Sequence, residues 1–183
     1  MKKFFALSLL ALVTVLTSTA SAQKPVTVGG ASMFPNKNII ENAVNSQDHT
    51  TLVAAVKAAG LVETLQGTGP FTVFAPVNAA FDALPAGTVD TLLKPENKGT
   101  LTAVLTYHVV AGRFNSKALK RMIEQGGGKA MLKTVQGGEL TAMMNGSDIN
   151  ITDAKGNMAR ITITNVNQSN GVIHVVDRVL LPQ

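Results

Sequence analysis

Gly69-Pro70-Phe71-Thr72-Val73-Phe74-Ala75-Pro76-Val77-Asn78-Ala79-Ala80-Phe81 is the stretch around which the chain organises itself. Side chains alternate along extended backbone, so Phe71 and Val73 share one face and Phe74 takes the other. An element apolar on both faces is a strand covered on both sides. Pro76 closes it, because proline has no N–H to give to a ladder. Asn78 then stands where a helix N-cap belongs, ahead of Ala79, Ala80 and Phe81. The chain passes from a central strand straight into a helix.

Toward the N-terminus the periodicity is helical. Ile39, Ile40, Ala43 and Val44 form one stripe of a short helix. Asp48 or Thr50 opens the next, with Leu52, Val53, Val56 and Ala59 as its apolar face and Gly60 as its stop. Leu61, Val62 and Leu65 add a further turn. Beyond Phe81, short helices are expected around 88–93 and 97–106, a strand from Tyr107 to Val110, and a helix from Ser116 to Gln125 capped by Ser116. After Gly126-Gly127-Gly128 the character changes. Met131–Val135, Leu140–Met144, Ile149–Thr152, Ala159–Thr164 and Val172–Leu180 are β runs, separated by Gly137-Gly138, Asn145-Gly146, Lys155-Gly156-Asn157 and Asn170-Gly171, all of them turn chemistry. Helices first and closely spaced strands last predict an α+β domain with a meandering antiparallel sheet, not βαβ units.

The first 22 residues read as an address. Met1-Lys2-Lys3 is a short positive start, Phe4 to Leu16 is apolar apart from Ser8 and Thr14, and Ala20-Ser21-Ala22 supplies small residues before Gln23. That is the pattern of a secretory signal peptide cleaved after Ala22, its apolar run being shorter than the roughly 20 residues of a membrane span. No membrane insertion is expected after cleavage. Residues 23–36, with Gly29-Gly30 and two prolines, read as an extended arm, and residues 37–183 as one domain. With Lys2 and Lys3 gone, fourteen basic residues face eleven acidic ones, so the +5 of the whole chain falls to +3. The remaining cations are scattered and the chain has one Tyr and no Trp, a poor match to nucleic-acid binding.

A search for catalytic chemistry finds none. There is no cysteine, which excludes a disulfide, a lipidated cysteine and thiolate catalysis. No G-x-S-x-G, phosphate-binding loop or H-E-x-x-H occurs. Asp82, Asp90, Glu96 and Asp177 have no spacing that pairs them as acid and base. His49, His108 and His174 lie far apart in sequence, and no metal is expected: His108 precedes Val109-Val110 and His174 sits between Ile173 and Val175, so both read as core histidines. Thioethers suit Cu(I), yet Met131, Met143 and Met144 fall in apolar strands and read as core filling.

Three blocks, in order, resemble the fasciclin (FAS1) domain family: Gly69 to Phe81; Leu105-Thr106-Tyr107-His108-Val109-Val110; and Asn170-Gly171-Val172-Ile173-His174-Val175-Val176-Asp177-Arg178-Val179-Leu180-Leu181-Pro182. The resemblance covers about residues 37–183. It implies a single wedge-shaped, twisted antiparallel β-sandwich with short helices packed along one side, in a secreted or periplasmic protein. It also implies a non-enzymatic adhesion or protein-interaction module with no cofactor, whose partner is a cell-surface, envelope or matrix component. The family's Tyr-His block falls on Tyr107 and His108, and its short Asp-Ile element on Asp148 and Ile149; in animal relatives both have been implicated in integrin contact, which makes these four the candidate partner-binding residues. The alternative for Tyr107 and His108 is a buried polar pair. A second function from another class is a binder of a small molecule or glycan. An exposed apolar patch favours the interaction module, and an enclosed pocket with converging polar groups favours the binder.

Overall fold

The computed structural model describes residues 23–183, so the expected signal peptide lies outside the described residues. The described residues begin with a hairpin, within the segment expected to be an extended arm. β1 (Val26–Val28) pairs antiparallel with β2 (Ala31–Met33) across Gly29 and Gly30, both at positive φ (54° and 75°). A two-residue turn of this kind suits two glycines. Period-2 alternation then sends Val28 and Met33 inward, where both are buried.

Among the described residues, seven α-helices follow the expected order. α1 (Ile39–Ala43) begins at a capping box between Asn38 and Glu41. α2 (Thr50–Ala59) ends on Gly60 at φ 74°, the left-handed stop expected of that glycine. α3 (Val62–Gln66) leads to β3 (Phe71–Pro76), and α4 (Asn78–Asp82) leaves it. Asn78 does not cap α4. Its Oδ1 instead accepts from the Thr51 N–H (3.0 Å) and Thr50 Oγ1 (3.2 Å), and its Nδ2 donates to the Gln47 carbonyl (2.8 Å), so it caps α2 from another element. Neither Asp48 nor Thr50 supplies that cap. After α5 (Thr88–Leu92), α6 (Lys98–Tyr107) runs one residue into the segment expected to be a strand, leaving β4 as Val109–Ala111. α7 (Ser116–Gln125) is capped by Asn115, whose side chain accepts from the Ala118 N–H, and not by Ser116.

The sheet departs from the expected antiparallel sandwich. β5 (Lys129–Lys133), β6 (Glu139–Asn145), β7 (Asp148–Thr152), β8 (Met158–Gln168) and β9 (Gly171–Val176) do meander antiparallel. β9, however, lies parallel to β3, with Phe74 opposite His174, and β4 adds antiparallel on the far side of β3. One mixed seven-stranded sheet results, in the order β4-β3-β9-β8-β7-β6-β5. Its two ends approach each other: Val110 bridges Thr134, and the Val135 N–H donates to the Val109 carbonyl at 2.7 Å. Register shifts in β8, with Asn165 at φ 60°, bend the sheet so that it nearly closes on itself.

Two cores lie on opposite faces of β3 and β9. Val73, Ala75, Ile173 and Val175 pack with α1, α2, α4 and α6, while Phe74 and Val176 pack with α7 and the inner face of β5–β8. Both faces of β3 are therefore covered, as its sequence requires.

Candidate functional site

α6 delivers Tyr107 and His108 into the interior at its C-terminal end. Tyr107 is fully buried; its hydroxyl donates to the Glu139 carbonyl (2.7 Å) and accepts from the Ala154 N–H (2.9 Å), tying α6 to the strands. Burial raises its pKa, against the lowering effect of the Ala154 N–H. His108 is buried too. Its Nδ1 meets the Val104 carbonyl at 2.8 Å and its Nε2 accepts from the Leu180 N–H at 2.9 Å. A carbonyl can only accept and an N–H can only donate, so the proton is on Nδ1 and the ring is neutral. Desolvation lowers its pKa to about 4, against the Val104 carbonyl and the more distant Asp153 carboxylate.

The other histidines are held separately. His174 donates from Nε2 to the Phe114 carbonyl (2.8 Å), and desolvation lowers its pKa. His49 hydrogen-bonds through Nδ1 to Ser46 Oγ (2.9 Å), while its buried Nε2 makes no hydrogen bond. Desolvation lowers the His49 pKa; the Ala75 backbone and Asp48 favour the charged ring less strongly, and Ala75 does so without completing a bond to Nε2. Among the described residues no three His, Asp or Glu side chains gather as a metal-ligand set.

Asp148 and Ile149 open β7 after the Asn145–Ser147 turn. Ile149 is buried at 3% exposure, while Asp148 is exposed, 3.9 Å from Arg160, which also lies 3.7 Å from Asp177. The structure does not bring the four candidate residues to one surface. Tyr107, His108 and Ile149 point inward, and only Asp148 presents its side chain.

The outer face of β5–β8 carries a feature that the sequence reading assigned wrongly. Register sets Met131, Thr141, Thr152 and Met158 in one row, and Lys129, Met143, Asn150 and Arg160 in the next. Met131 (51%), Met143 (40%) and Met158 (48%) are exposed, so Met131 and Met143 do not fill a core; Met144, on the inner side, does pack against one. The signal was present in Lys129-Ala130-Met131-Leu132-Lys133, where alternation puts Met131 on the lysine side. Thr141 Oγ1 donates to the Met131 sulfur (3.4 Å) and Asn150 Nδ2 to that of Met158 (2.9 Å). On the same face, Asn150 Oδ1 and Thr152 Oγ1 are buried without a partner.

Known proteins resemble this chain in sequence, and a solved structure resembles it in fold. A protein of Synechocystis sp., sll1483, is 43% identical over 163 residues, which span 88% of this chain and 83% of that protein. The immunogenic protein MPB70 of Mycobacterium bovis is 34% identical, over 90% of this chain and 78% of its own length. The cell surface glycolipoprotein MPB83 of the same species is 33% identical, over 88% and 68%. Among solved structures, the FAS1 domain pair of the insect cell adhesion molecule Fasciclin I superposes with a TM-score of 0.71 at 17% identity, covering 80% of this chain. The chain spans about half the length of that pair, 51%. With the sequence pattern of the Fasciclin domain matching residues 47–182, the chain belongs to the fasciclin family.

Proposed function

We propose that this chain is an exported, non-enzymatic adhesion or protein-interaction module that binds a protein of the cell surface, envelope or matrix through the outer face of β5–β8. The observation that carries the reading is the exposed Met131, Met143 and Met158 on adjacent strands. Methionine is enriched in protein interfaces, where its flexible thioether adapts to a partner's shape. Asp148 with Arg160 makes a charged rim beside these methionines. The chain's relatives include a cell surface glycolipoprotein, and its fold is that of a cell adhesion molecule.

The test is capture of envelope and extracellular proteins by the purified protein, set beside a Met131→Lys/Met158→Lys variant. A partner retained by the wild type and lost by the equally stable variant supports the reading. Equal capture by both sinks it. A glycan-binding reading is the weaker one, because the apolar void beside α2 and α3 offers few polar groups to a sugar.

A further inference from the structure

On the side of the sheet away from the methionines, a void of about 60 Å³ opens between α2, α3 and the β3–β4 edge. Its walls run from residues that meet solvent, Lys57 and Val135, to the fully buried Phe74 and Ile173. It is a blind channel entered from the surface. The walls are almost wholly apolar, with Val53, Val56, Leu61 and Val109 among them.

The few polar groups there are mostly occupied. Both His108 nitrogens are bonded, and Thr106 Oγ1 donates to the Thr102 carbonyl. Two remain. One is His49 Nε2, buried and without a hydrogen bond. The other is the Lys57 ammonium, which has no carboxylate within 4 Å among the described residues. They mark opposite ends of α2: eight residues separate them, about 12 Å along a helix. Lys98 adds a second cation at the Lys57 end, its ammonium lying over Gly60.

These features select one ligand chemistry. The void has the volume of about two waters, but a buried water needs at least two polar partners and His49 Nε2 is one. The space suits an apolar group. It is less than half the roughly 150 Å³ of a cavity that takes benzene, so it accepts the end of a slender chain and not a ring. The rest of such a chain would lie over Leu61 and Val62 toward the mouth, where Lys57 and Lys98 offer positive charge.

We propose that this channel binds a single-chain carboxylic-acid amphiphile, with its alkyl end among Val56, Val73 and Ile173 and its carboxylate at Lys57. This goes beyond the adhesion reading and is independent of it, because the channel and the methionine face lie on different sides of the molecule.

Decanoate, decanol and decyltrimethylammonium are titrated into the purified protein below their micellar concentrations, by calorimetry and thermal shift. Decanoate is expected to saturate at one per chain and raise the melting temperature, with the cationic analogue weakest. Lys57→Glu, an exposed change, should weaken decanoate roughly tenfold, the worth of one charge-assisted contact, and leave decanol unchanged. Ala43→Leu, which narrows the channel wall, should abolish both while the protein stays folded; if it does not fold, Lys57→Glu alone decides. Absence of saturable decanoate binding, unchanged decanoate affinity in Lys57→Glu, or full binding by folded Ala43→Leu would each overturn the proposal.

Discussion

Phe74 and His174, register partners on the parallel strands β3 and β9, stack with ring centroids 5.9 Å apart and planes 25° from parallel. Phe74 is fully buried, and the pair sits on the face that packs against α7 and the inner sheet. Phe74→Ala removes a large aromatic from this layer and should cost about 3–5 kcal/mol. Urea unfolding of the variant measures it, and a loss below about 1 kcal/mol would contradict the packing described.

What could be read in the sequence follows from what local patterns encode. β3 and β9 were legible because an unbroken apolar run bounded by turn residues has few other uses. Their parallel pairing was not, since nothing in residues 71–76 names a partner about a hundred residues away. The meander of β5–β8 was legible from its Gly and Asn turns; the near-closure through Val110 and Thr134 was not, as it depends on bends in β8. Tyr107 was read into a strand because a short apolar run ending a helix cannot be told from one starting a strand. At the candidate site, apolar neighbours on both sides of the Tyr-His pair point to its burial, whereas the exposure of Met131 follows only where alternation outranks hydrophobicity.

His108 sets an acid limit on stability. Its pKa is about 4 in the folded protein and near 6.5 when unfolded, so between those values the unfolded chain binds more protons. Stability is therefore complete above pH 6.5 and falls as the pH drops toward 4, by about 3 kcal/mol for this residue. The lowered pKa values of His49 and His174 act in the same direction. Urea midpoints measured from pH 8 to 4 should fall most steeply below 6.5, and His108→Gln should flatten that slope. An unchanged slope would place the proton elsewhere.

Export can be checked directly. Mass spectrometry of protein recovered from the periplasm or medium should find a chain beginning at Gln23. Recovery of intact residues 1–22 on membrane-bound protein would reject both cleavage and release.

Asp148 and Ile149 are neighbours in sequence with opposite consequences. Asp148 is exposed and its nearest cation is 3.9 Å away, so Asp148→Ala should change stability by less than about 1 kcal/mol. Ile149 is buried in the core shared with α7, so Ile149→Ala should cost about 2–5 kcal/mol. If Asp148→Ala weakens capture of a partner at unchanged stability, the β6–β7 turn belongs to the binding surface. If it does not, the binding surface excludes this turn.

Tyr107→Phe separates a structural role from a binding role for the Tyr-His block. The ring is fully buried, so a partner docking on the folded domain does not touch it. Phenylalanine keeps the ring packing and removes only the hydroxyl, leaving the Glu139 carbonyl and the Ala154 N–H without their shared partner. That loss should cost about 1–3 kcal/mol. Thermal unfolding should show it, and partner affinity measured well below the melting temperature should not change. The opposite pattern, with stability kept and affinity lost, would mean that this tyrosine reaches the surface when the partner binds and would return Tyr107 and His108 to the interface.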